Sequence, residues 1–215
     1  MRELLRSNVG LKAIMAVSGL IWVGYLITHV AANLLVFTGP TLINRYSALI
    51  HAQPVILWGA RAVLVVAIVL HVWAALTLTR RARAARPVGY ERQESQVATI
   101  ASRTMRIGGV VVLVFLVYHI LHFTLGTLHP SFVHGNPYAN VTSAFRNPLL
   151  VVIYEVAMAA VGLHLVHGAW SSFRSLGLVR PSVHPLRHRT SLLVAGAVWL
   201  GFAVIPILVF AGVGR

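Results

Sequence analysis

Residues 102–126 read SRTMRIGGVVVLVFLVYHILHFTLG. Arg103 and Arg106 open the segment, no charge follows from Ile107 to Gly126, and His119 and His122 stand near its far end. About 20 apolar residues in an α-helix cross about 30 Å of hydrocarbon. An imidazole at such depth is costly enough to be read as functional. One stretch thus points to a membrane-spanning helix and to intramembrane histidine chemistry.

Outward from it, comparable runs occupy residues 13–37, 55–79, 149–173 and 190–213, and the quoted run itself extends over 107–128. The 215 residues are 58% hydrophobic and 10% charged, with a mean hydropathy of +0.80, which excludes a soluble domain of this size. The expected fold is all-α, a single bundle of five transmembrane helices over residues 1–215. Arg61 lies near one end of its run, Glu155 inside the fourth and Pro206 inside the fifth, and only Glu155 is costly there. The first run is too long for a signal-peptide core and Ala31-Ala32 is a poor cleavage site, so it reads as a retained helix. With no cysteine, the chain cannot hold a thiolate-ligated iron–sulfur cluster or a disulfide. Any redox centre of its own must use histidine.

Lysine and arginine set the expected orientation. Arg2, Arg6 and Lys12, then Arg80, Arg81, Arg83, Arg86, Arg92, Arg103 and Arg106, then Arg174, Arg180, Arg187 and Arg189 make 14 of the 18 basic residues on one side. That side is expected to be cytoplasmic, with the N-terminus, while Arg45, Arg61, Arg146 and Arg215 lie outside with the C-terminus. The net charge of +14 is therefore mostly a cytoplasmic belt, suited to anionic lipid or to a soluble partner and giving no sign of nucleic-acid binding.

Four histidines, one per helix, fall at two depths. His71 is nine residues before Arg80 and His164 ten before Arg174, which puts both roughly 14 Å from the inner surface at about 1.5 Å per residue. His29, 17 residues after Lys12, and His119, 13 after Arg106, lie roughly 20 to 25 Å in. Two histidine pairs on four helices suit bis-imidazole haem iron at an inner and an outer level. His122 and His167 each follow a main histidine by three residues on nearly the same helical face. Depth slightly favours His122 over His119 as the partner of His29, and otherwise both extra histidines are candidates for contacts around the haem. Asn33, one turn beyond His29, joins them.

Ser18-Gly19, Gly108-Gly109, Gly162 and Gly168 permit close helix approach or leave room for a flat macrocycle. Tyr46, His51 and Arg61, near the outer ends of the first two helices, could serve a quinone head group, or be solvated loop residues. Glu155 could relay protons or pair with a loop cation.

Together these segments resemble the five-helix di-haem cytochrome b anchor subunit of bacterial succinate dehydrogenases and fumarate reductases, in its actinobacterial form. The resemblance runs in order through KAIMAVSGL, THVAANLL, INRYSALIH, LWGARAVLVVAIVLHVWAALTLT, RRARAARPVGY, the opening segment and GLHLVHGAWSSFRSLG. It implies that His71 and His164 ligate an inner b haem, and His29 and His119 an outer one. It favours His119 because the position of His122 resembles one where the family also accepts Asp; that of His167 resembles one where relatives carry Asn. It further implies a bacterial inner-membrane protein with flavoprotein and iron–sulfur partners on the cytoplasmic side, electrons passing through two haems, and menaquinone as the usual acceptor. The dicarboxylate site belongs to the partners. A cytochrome b module of another dehydrogenase, or a haem-free histidine-lined proton or metal transporter, are the rival readings.

Overall fold

Each of the five apolar runs is helical in a computed structural model, which describes residues 7–85, 100–178 and 184–213. Helix α1 spans Asn8–Leu34, α3 Pro54–Ala84, α4 Ile100–His119, α6 Pro148–Ser175 and α7 His184–Phe210. All five are long and apolar enough to cross a membrane, and no strand occurs among the described residues. Arg2, Arg6, Arg86, Arg92, Arg180 and Arg215 lie outside the described residues.

Several helices outrun the predicted spans because hydropathy marks the part that meets hydrocarbon, whereas helical hydrogen bonding continues into the arginine-bearing flanks. Thus α3 continues through Arg80, Arg81 and Arg83, and α4 begins seven residues before Ile107. Ser7 caps α1 by accepting from the Gly10 amide at 3.0 Å. At its other end α4 widens into a π turn, Ile120–Thr124, and the chain leaves the helix at Gly126, whose φ of +73° suits glycine.

Helices α1, α6 and α7 form the packed centre, with α3 against α1 and α4 against α6. A methyl added at Gly162 of α6 would come 2.7 Å from Trp199 Cδ1 of α7, and one at Gly201 of α7 would come 2.6 Å from Val30 Cγ2 of α1. Both glycines therefore let these helices approach closely. Ala157, Met158, Val161 and Leu165 of α6 bury against Ala195, Val198 and Ala203 of α7. Helices α3 and α4 flank this centre without packing along one another, and carry exposed valines such as Val63, Val66, Val114 and Val117. In a lipid solvent such faces are stable without a protein partner.

Two short helices missing from the span prediction, α2 at Pro40–His51 and α5 at Pro137–Ala144, pack together over the end of the bundle opposite the arginine-rich one. Each starts with proline in its first turn, after Gly39 and Asn136 respectively. Asn136 caps α5 by accepting from the Ala139 amide and also accepts from Asn44 Nδ2 of α2, each at 3.0 Å, while Asn44 Oδ1 accepts from the Tyr138 amide at 3.2 Å. Beneath this cap Val36, Ile43, Val141, Phe145, Tyr154, Ile205 and Val209 form a second buried cluster.

Candidate functional site

Helix α3 carries His71 against α1, where its Nδ1 donates to the Met15 carbonyl at 3.0 Å, with Ser18 Oγ at 3.3 Å. That leaves Nε2 as the free ring nitrogen. Ser18 is itself buried and donates to the Ile14 carbonyl at 2.7 Å. Across the bundle His164 of α6 lies against α4, where a methyl at Gly109 would meet its Cε1 at 3.5 Å. The centroids of the His71 and His164 rings are 6.2 Å apart and their planes cross at 60°.

One level further along, His29 of α1 and His119 of α4 face each other at 5.9 Å with planes at 87°. Tyr25 stacks on His29 at 5.1 Å and 15°, and Phe202 of α7 closes another side at 5.6 Å. Tyr25 Oη lies 3.5 Å from His29 Nδ1. Asn33 Nδ2 donates to the His29 carbonyl at 2.7 Å and lies 3.3 Å from His29 Nδ1, so this amide is engaged on its own helix. His119 is walled by Phe115 and Phe123, and its Nδ1 is 3.5 Å from Tyr154 Oη.

The pairs fit an iron between each two rings. Two imidazoles on opposite sides of one metal, with metal–nitrogen bonds of about 2.0–2.1 Å, have centroids about 6.4 Å apart. The observed 6.2 and 5.9 Å are close to this. His164 Nδ1 is buried without a hydrogen-bond partner, unlike His71 Nδ1 with its Met15 acceptor. Glycine at 19 and 109 lets the His71 and His164 rings sit against neighbouring backbone, whereas Gly108 and Gly168 face open space. Among the described residues no three His, Asp or Glu side chains gather as a metal cage.

His122 turns away from His29. It is completely buried, its Nδ1 is 2.9 Å from Tyr154 Oη, and its ring stacks on His129 at 4.8 Å and on Tyr118 at 5.4 Å. The π turn at Ile120–Thr124 changes the helical phase, so two histidines three apart serve different neighbours. His167 is half-buried on the last turns of α6. At the capped end His51 Nδ1 bonds to the Ser47 carbonyl of its own helix at 2.8 Å, Tyr46 is exposed, and the Arg61 guanidinium lies over the Trp58 ring at 4.8 Å. Glu155 is half-buried with one carboxyl oxygen enclosed and without a partner.

The profile of the succinate dehydrogenase/fumarate reductase transmembrane subunit family matches residues 82–210, more than half of the chain. The chain belongs to this family. No curated protein and no solved structure matches it. Membership makes it a multi-pass membrane subunit of that enzyme complex. The matched span contains His119 and His164 but neither His29 nor His71. Folding brings one histidine from inside the matched family region against one from outside it, twice.

The residues around the pairs, Met15, Ser18, Tyr25 and Tyr154, were not singled out as site residues from sequence, apart from Ser18 as a small residue. Tyr25 carried a usable signal, since it precedes His29 by one helical turn. Tyr154 had none, because its relation to His119 and His122 exists only across two helices.

Proposed function

We propose that this subunit of succinate dehydrogenase or fumarate reductase holds two b-type haems, His71 and His164 ligating one and His29 and His119 the other. It would thereby connect a flavoprotein and iron–sulfur pair to menaquinone. When bound, haem supplies reversible one-electron chemistry at each level. The observation that carries this reading is the meeting of four imidazoles, from four helices, two by two at 6.2 and 5.9 Å.

The chain's own groups prepare those positions. The Met15 carbonyl holds the proton of His71 on Nδ1 and so directs the Nε2 lone pair to the metal position. Tyr25, Phe115, Phe123 and Phe202 wall the outer pair and exclude water. Exposed Lys12, Arg80, Arg81, Arg83, Arg103, Arg106, Arg174 and Arg189 share one end, joined there by the 2.9 Å bond from Arg81 to Asn8. We read this end as the cytoplasmic docking face in a bacterial inner membrane, with the N-terminus on that side and the α2–α5 cap outside.

The test is a reduced-minus-oxidised spectrum with haem quantification on the purified complex and its four His→Ala variants. Two b haems are expected, one lost on changing His71 or His164, the other on changing His29 or His119. A colourless complex, or loss of both haems from every variant alike, overturns the assignment.

A further inference from the structure

A run of hydrogen bonds and stacked rings leads outward from the His29–His119 pair. The Tyr154 hydroxyl stands between two imidazoles of α4, 3.5 Å from His119 Nδ1 and 2.9 Å from His122 Nδ1. Tyr118 and His129 both stack on the buried His122 ring, each within 20° of parallel, and so hold its orientation. His129 is locked in turn: its Nδ1 accepts from the Ser131 amide at 3.2 Å, so its proton is on Nε2, which donates to the Asn140 carbonyl at 3.0 Å. Asn140 is buried and pinned by two bonds to Val133, at 2.8 and 2.9 Å. Contacts thus run without a break from the outer loop down to His119.

We propose that Tyr154 is a positioning residue for His119, accepting its Nδ1 proton and donating its own hydroxyl proton to His122. The inference rests on the haem reading above. A histidine that ligates through Nε2 carries its proton on Nδ1, so the phenol oxygen must accept. The single phenol proton then goes to His122 Nδ1, and the proton of His122 is left on Nε2. That nitrogen is the one found completely buried without a partner. The reverse direction would protonate His119 Nε2 and block ligation. A buried, unmatched N–H on His122 is thus the cost of orienting His119.

The two levels are served by acceptors of different kinds. His71 donates to a backbone carbonyl, which no side-chain replacement removes, whereas His119 donates to a hydroxyl that one replacement deletes. An acceptor at Nδ1 makes the imidazole more basic and favours ferric iron, so deleting it raises the potential of that haem alone.

The experiment uses the whole complex with Tyr154→Phe, following both haems by optical redox titration and by the ferric resonance spectrum. At a fixed potential the reduced-to-oxidised ratio of the outer haem should rise about two- to tenfold, the worth of one hydrogen bond. For one electron, tenfold reads as about 59 mV. The inner haem should not move. In a companion pair, His122→Gln, which keeps an acceptor for the phenol, should shift the outer haem less than His122→Leu. Two bound haems with wild-type potentials in Tyr154→Phe overturn this inference and leave the haem reading standing. A wild-type complex without haem overturns the haem reading instead. Should Tyr154→Phe not assemble, an unshifted outer potential in His122→Leu overturns the inference by itself.

Discussion

Gly19 of α1 and His71 of α3 touch through the space a side chain would fill: a methyl at Gly19 would lie 3.2 Å from His71 Cε1 and 3.4 Å from its Nδ1. The closeness serves the bond from that Nδ1 to the Met15 carbonyl, one turn earlier on α1. Gly19→Ala should therefore displace the ring and weaken or empty the inner site, at about 1–3 kcal/mol for overpacking. Gly24 has nothing within 4 Å, so Gly24→Ala should instead stabilise the helix by up to about 1 kcal/mol. Haem content and thermal unfolding of the two variants, compared side by side, check the contrast. Equal behaviour would remove the role given to Gly19.

His119 and His122 differ in what their loss should do. His119→Ala removes a ring facing His29 and should abolish one haem. His122→Phe should keep both haems but lower stability by about 1–3 kcal/mol, because the Tyr154 hydroxyl loses its 2.9 Å partner inside the protein. Haem stoichiometry and denaturation midpoints separate the two effects. If His122→Phe lost a haem and His119→Ala did not, the ligand would be His122.

The ring planes cross at 87° in the outer pair and 60° in the inner pair. Nearly perpendicular axial imidazoles leave two iron d orbitals close in energy, which widens the anisotropy of a low-spin ferric signal. The haem lost in His29→Ala should accordingly be the one with the more anisotropic resonance, and the haem lost in His71→Ala the less anisotropic. Low-temperature electron paramagnetic resonance of the oxidised variants reads this directly.

Asn44 and Asn136 hold the α2–α5 cap together. Asn136→Ala deletes both the α5 cap and the link to α2, and should cost about 0.5–2 kcal/mol. The cap lies over the outer level, so proteolysis of residues 125–147 should quicken while the spectrum of the inner haem stays unchanged. A disturbed inner haem would mean that the two ends are not independent.

The five spans were legible because hydrophobic length is a local property: about 20 apolar residues have one favourable state in hydrocarbon wherever their neighbours lie. The depths of His29, His71, His119 and His164 followed from counting along those spans. Helices α2 and α5 were overlooked, although Gly39-Pro40 and Asn136-Pro137 are helix-start signals, because both are too short to stand out by hydropathy. For the choice between His119 and His122, depth pointed the wrong way relative to the facing seen here. A count of residues assumes an unbroken helix, whereas the π turn alters the phase between the two rings.

Chain order alone established a basic-ended, five-span bundle with imidazoles at two depths, since span length, charge bias and rise per residue are each read along one strand of chain. Folding chose which rings meet, that Met15 and Tyr154 serve as their acceptors, and that α3 and α4 stay apart. Those outcomes depend on how one helix is rotated against another. Rotation is set by close contacts such as Gly201 on Val30 and Gly162 on Trp199, which join residues remote in sequence.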